Sequence, residues 1–110
     1  MGLNQKIVVV GAGVEGLTTS VRLLQAGYEV DIVAREFPPD TTSDVAAAFW
    51  CPYRVGPEDR AYGWARATYL ELRKLCDTAE ANVFQARQRE VFKFQPPDPW
   101  YTDAHQVLRK

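Results

Sequence analysis

Gly11-Ala12-Gly13-Val14-Glu15-Gly16 sets three glycines at G-x-G-x-x-G spacing, which points to phosphate binding. Each glycine has a separate task. Gly11 makes a tight turn, Gly13 lets the backbone approach a pyrophosphate, and Gly16 lets a following helix pack close to the preceding strand. The N–H groups and positive dipole end of that helix favour phosphate charge. Glu36 lies 20 residues past Gly16, where a carboxylate would accept from ribose hydroxyls. Arg35 beside it suits a 2′-phosphate, or an ordinary solvated surface, equally well. By itself the motif says dinucleotide without saying which. The plain alternative is a tight turn that binds nothing.

Other reactive side chains add little. Cys51 and Cys76 form no C-x-x-C pair, and with His105 they offer no zinc spacing, so no metal site is predicted. Both thiols read as packed bystanders. Cys51 has no nearby histidine to make it a nucleophile.

The elements around the glycines are those the motif demands. Lys6-Ile7-Val8-Val9-Val10 is a β-branched run, expected to be a strand buried on both faces. Val14, Leu17, Val21 and Leu24 then recur at helical spacing, and Gly27 suits a left-handed helix end. Tyr28 to Ala34 alternates like a second strand. Strand, helix and strand make a βαβ unit, whose crossover is right-handed almost without exception. Pro38 and Pro39 close it. A long helix is predicted from Pro57, with Pro57 in its first turn, Glu58 and Asp59 at the positive end, and Trp64, Thr68, Leu72 and Leu75 on one face. Two short strands, Val83 to Ala86 and Glu90 to Phe94, are expected to follow across a turn at Arg87 to Arg89. After the prolines at 96, 97 and 99 another element is expected towards Lys110.

The 110 residues are 46% hydrophobic and 25% charged with a formal net charge of -1, ordinary for a globular domain and no argument for a nucleic-acid or membrane partner. No apolar run approaches the roughly 20 residues that span a bilayer. Together with the thiols, this leads us to expect a cytoplasmic or organellar location, with a peroxisomal one compatible. Two parallel strands need further strands and covering helices. The fold expected is therefore α/β, incomplete without a further chain. Its divisions would be 1–53, the first part of a nucleotide-binding domain; 54–80, a helix packing on it; and 81–110, the start of a second, α+β domain. Ile7, Val9, Ile32, Trp50 and Trp64 are the residues expected to need outside partners. The cofactor remains open at this point between FAD and NADP.

The stretch Thr41-Thr42-Ser43-Asp44-Val45-Ala46-Ala47-Ala48-Phe49-Trp50-Cys51-Pro52-Tyr53 resembles the hallmark segment of the D-amino-acid oxidase and D-aspartate oxidase family. There a hydroxyl-rich turn and small residues precede Trp-x-Pro-Tyr. The resemblance extends over nearly the whole chain, from Val8 through Arg89-Glu90-Val91-Phe92 to Pro97-Asp98-Pro99-Trp100-Tyr101. It implies a Rossmann-like FAD-binding unit, with Gly11, Ala12, Gly13, Val14, Glu15 and Gly16 along the adenosine pyrophosphate. Arg35 and Glu36 would flank the ribose, and Thr41, Thr42 and Ser43 would supply donors to the phosphates and ribityl chain. Ala47, Ala48 and Phe49 would run beside the flavin ring. Cys51 and Tyr53 would lie near substrate.

The implied reaction is oxidative deamination of a D-amino acid to a 2-oxo acid, ammonia and hydrogen peroxide. The flavin carries the hard chemistry. The family's substrate-gripping arginine and tyrosines lie downstream, so no catalytic residue is assigned in this chain. The implied partner is the remaining polypeptide of the enzyme as a separate chain, with homo-oligomerisation compatible. Three departures stand out. Ala48-Phe49 replaces a glycine-containing pair, Cys51 stands where the animal enzymes carry glutamine, and Arg35-Glu36 reverses an acidic-basic order. D-aspartate oxidase and glycine-oxidase-like enzymes are the nearest alternatives. An NADP-dependent dehydrogenase fragment and a non-catalytic nucleotide-binding module are the more distant ones.

Overall fold

The computed structural model describes residues 5–101, so the element expected near the chain's end and His105 lie outside the described residues. The chain divides into two compact units, 1–49 and 50–110.

The first unit opens with strand β1 (Lys6–Val10), helix α1 (Val14–Gln25) and strand β2 (Glu29–Val33). The strands pair in parallel, from Lys6 opposite Glu29 to Val10 opposite Val33. The Gly11 N–H donates to the Val33 carbonyl at 2.8 Å and carries the ladder into the turn. Lys6 Nζ meets Asp31 Oδ2 at 2.7 Å across the strands, and this hydrogen-bonded carboxylate raises the lysine pKa. Helix α1 ends in a Schellman arrangement: Tyr28 N–H donates to Leu23 O, Gly27 N–H donates to Leu24 O, and Gly27 takes a φ of +89°. A turn closed by Asp40 N–H on Phe37 O leads to a single helical turn, α2 (Thr42–Val45).

Which side of α1 faces the sheet differs from expectation. Val14, Leu17, Val21 and Leu24 are exposed, whereas Ser20 is only 3% exposed and donates its hydroxyl to the Gly16 carbonyl at 2.8 Å. At roughly 100° per residue, Gly16, Ser20 and Leu23 share a face about a third of a turn from the apolar stripe. Gly16 fixes that rotation. A Cβ on it would lie 2.8 Å from the Gly11 carbonyl carbon and closer still to its oxygen. The sheet is likewise covered on one face only: Ile7, Val9, Val30 and Ile32 are half-buried, while Val8, Val10 and Val33 are exposed, Val10 at 84%. The bare face is thus the one opposite Ile7, Val9 and Ile32.

The second unit is organised by α3 (Glu58–Leu75) and a 3₁₀ turn at Ala79–Ala81. Pro57 stands just outside α3 as its cap, with extended backbone, and Glu58 and Asp59 fill the first turn. The inward positions are Ala61 and Ala65. Trp64, one of the residues expected to need an outside partner, is exposed. The small alanines make room for Trp50, whose indole N–H donates to the Ala65 carbonyl at 3.0 Å. Its ring meets Tyr69 and Tyr101 edge-on, with centroids 5.0 and 6.0 Å away.

The strands expected at 83–86 and 90–94 are not formed, and 83–92 has no regular structure. Phe84, Val91 and Phe94 stand exposed. A lone hairpin is marginal in water without a third strand or a covering layer, and none is present among the described residues. The first strands of a second, α+β domain are therefore absent from the described chain.

Candidate functional site

The glycine turn and the loop after β2 meet in the first unit. They line a hollow of about 270 Å³, with Ala12, Gly13 and Val14 from the turn and Pro38, Thr41, Ser43 and Asp44 from the loop. Gly11 has a φ of +116°, in the region that favours glycine. Ala12 is 2% exposed, and Gly13 is the N-cap of α1. The Gly13 carbonyl accepts the first helical bond, from Leu17 N–H at 3.0 Å. From the opposite loop, Ser43 Oγ accepts from Val14 N–H at 3.0 Å. This bond joins two segments 29 residues apart.

The loop is braced from within. Thr41 is buried, and both its N–H and its hydroxyl donate to Asp44 Oδ2, at 3.1 and 2.5 Å. Asp44 N–H returns a bond to the Thr41 carbonyl. Asp44 was not among the site residues expected, although Thr41-x-x-Asp44 is a capping-box spacing that could have revealed it. The two donors on one of its oxygens fix the carboxylate in place at the edge of the hollow.

The other expected residues are distributed as follows. Glu15 is exposed in the first turn of α1. Arg35 and Glu36 lie just past β2 and pair with each other at 3.2 Å on an exposed surface. Thr42 is exposed in α2. Ala47, Ala48 and Phe49 follow α2 as exposed, irregular backbone and do not line the hollow, Phe49 being 70% exposed.

Cys51 and Tyr53 belong to the second compact unit. Cys51 is half-buried, with its sulfur hydrogen-bonded to the Tyr101 hydroxyl at 3.5 Å. That bond, with burial behind it, pushes the Tyr101 pKa up to about 12. Tyr53 is exposed, with the Arg54 guanidinium 5.2 Å from its ring centroid. Among the described residues no group of histidines, cysteines and carboxylates could hold a metal, and no helix is long and apolar enough to cross a membrane.

Residues 6–106 match the family model described as FAD dependent oxidoreductase. The chain belongs to this family. A D-amino-acid oxidase of Rubrobacter xylanophilus is 39% identical over 96% of this chain and 32% of its own length. The D-aspartate oxidase of Homo sapiens is 36% identical over 96% of this chain and 33% of its own. A D-amino-acid oxidase of Streptomyces coelicolor is 48% identical over a shorter stretch, 54% of this chain and 19% of its own. The chain therefore spans about a third of the length of the first two relatives. No solved structure gives a significant match.

The cofactor of an FAD-dependent oxidoreductase is FAD, and the hollow fits its diphosphate. The turn is bare of side chains at Gly11 and Gly13, the start of α1 faces the hollow at Val14, and a hydroxyl stands on the opposite loop at Ser43.

Proposed function

We propose that this chain forms the FAD-binding portion of an oxidase that converts D-amino acids to 2-oxo acids, ammonia and hydrogen peroxide. In this reading β1, α1 and β2 are the start of a Rossmann-like sheet. The observation that carries it is the bond from Val14 N–H to Ser43 Oγ, which brings the glycine turn and the hydroxyl loop to one hollow. Gly11 to Gly16 and Ser43 would hold the pyrophosphate. Glu36, with Arg35 beside it, would meet the adenosine ribose. Thr41 serves the site indirectly, because both its donors are spent on Asp44. FAD, when bound, supplies the hydride acceptor.

Ala47, Ala48 and Phe49 leave an exposed, largely small-residue backbone that a planar ring could approach. Cys51 and Tyr53 remain candidates for the substrate side. D-aspartate is the runner-up substrate, on the identity shared with the human D-aspartate oxidase. The bare face of Val8, Val10 and Val33 is a surface that further strands or helices of such an enzyme would cover.

The test is a flavin spectrum of the purified protein together with a peroxide assay on a panel of D-amino acids. Bound flavin and peroxide release with D- but not L-substrates support the reading. A protein that binds NADPH and not FAD defeats it.

A further inference from the structure

Arg54 occupies backbone that arginine rarely adopts. Two residues other than glycine take a left-handed φ among the described residues, Asn82 at 52° and Arg54 at 49°. Asn82 is of a type that visits this region, and it ends the 3₁₀ turn. Arginine has no short polar side chain to bond locally, so left-handed backbone costs free energy that its surroundings must offset. Those surroundings are braced. Trp50 is tied to the Ala65 carbonyl, and Tyr53 N–H donates to the Cys51 carbonyl at 2.8 Å around Pro52. Tyr53 and Arg54 then stand exposed together, with the guanidinium carbon 5.2 Å from the Tyr53 ring centroid. Among the described residues Arg54 pairs with no carboxylate. The ring attracts the cation and limits its swing, but it leaves N–H donors for an anion.

We propose that Arg54 is a specificity residue: its guanidinium takes the side-chain carboxylate of an acidic D-amino acid, with Tyr53 holding it in place. A planar fork of N–H donors is the group that matches a carboxylate. This rests on the oxidase reading above, in which Cys51 and Tyr53 lie on the substrate side. Every amino acid carries an α-carboxylate, so an arginine placed there would not tell substrates apart, and the resemblance puts that arginine downstream. A second cation, beside Tyr53, serves a substrate with a second carboxylate. The strained backbone fits a functional demand better than a packing one, because the side chain it carries is exposed.

The test is steady-state kinetics of the flavin-loaded enzyme on D-glutamate, D-aspartate and D-alanine. The quantity read is the ratio of kcat/KM for the acidic substrates to that for D-alanine. We expect Arg54→Leu to lower this ratio about tenfold, as for a lost hydrogen bond to a charged group. Arg54→Lys, which keeps the charge without the fork, should lower it about threefold. Arg54→Gly suits the left-handed backbone, so it should lower the ratio as far as Arg54→Leu while the Tm stays level or rises. A ratio unmoved by Arg54→Leu overturns the proposal, as does a wild type active on D-alanine alone. So do equal losses on all three substrates, which would give Arg54 to the α-carboxylate, and a Tm lowered by Arg54→Gly, which would make it a packing residue. The oxidase reading survives each of these, since the wild type still oxidises D-alanine. A wild-type enzyme that oxidises none of the three defeats both.

Discussion

Residues 11–45, outside α1, β2 and α2, and residues 83–99 both lack regular structure, yet they differ in what fixes them. The first segment is held by bonds made within the chain: Gly11 N–H to Val33 O, Val14 N–H to Ser43 Oγ, and Thr41 to Asp44. The second exposes Phe84, Val91, Phe92 and Phe94, with Gln88 bonded to Glu90 at 2.8 Å. Polar and steric constraints that close locally give defined structure here. An apolar pattern without a layer to face does not. An unpaired backbone group or a collision is costly within a single turn, whereas burial needs something to be buried against.

The sharpest way to break this contrast is Gly16→Ala. Its Cβ would meet the Gly11 backbone, which cannot give way as a flexible side chain can. We expect a loss of about 2–3 kcal/mol or more, seen as a Tm lowered by roughly 10 °C, with flavin retention lost. An unchanged Tm would show that the turn is not fixed by this contact.

Next in size is Gly13→Val, whose branched side chain would displace Ser43 and enter the hollow. Flavin retention should be abolished while the far-ultraviolet dichroism of the chain is kept. A variant that stays yellow counts against the site.

In the second unit, Trp50→Ala removes the ring that joins Tyr69, Tyr101 and the Ala65 carbonyl. Because Trp50 is only half-buried, about 2 kcal/mol is expected, below the usual range for a fully buried tryptophan. Denaturant unfolding followed at Tyr69 would read it, and no change would mean that α3 stands without the cluster.

The smallest effect is on Tyr101. Its hydroxyl, bonded to Cys51, has a pKa pushed up to about 12 from 10.0. The folded state therefore holds this proton after the unfolded chain has released it. The resulting stability is full below pH 10 and is lost as pH rises towards 12. Ultraviolet titration should show one late tyrosine that Tyr101→Phe removes.

Much of the first unit was legible in the sequence because its signals are local. The β-branched run, the glycine spacing and Gly27 placed β1, the start of α1 and its end. The rotation of α1 was not legible. Its apolar stripe, Val14-Leu17-Val21-Leu24, suggested one inward face, and the approach of Gly16 to Gly11 imposed another. In helix α3 the packed positions are the small Ala61 and Ala65, which the apolar spacing does not single out, while the large Trp64 is exposed. A pattern of large residues reports which surface wants cover. It does not say that the cover is within the chain.

In the site, the hydroxyls of the 41–43 stretch were visible as candidates. The division of labour among them was not. Thr41 braces the loop through Asp44 while Ser43 reaches α1, and only the folded turn distinguishes the two.

The most direct test of the central claim, that the glycine turn and the hydroxyl loop together hold the diphosphate of FAD, is a crystal structure of the FAD complex. We expect the pyrophosphate in the hollow between Gly13 and Ser43, within hydrogen-bonding distance of the Ser43 hydroxyl. A pyrophosphate bound elsewhere, with Ser43 and Val14 making no contact to it, would contradict the claim.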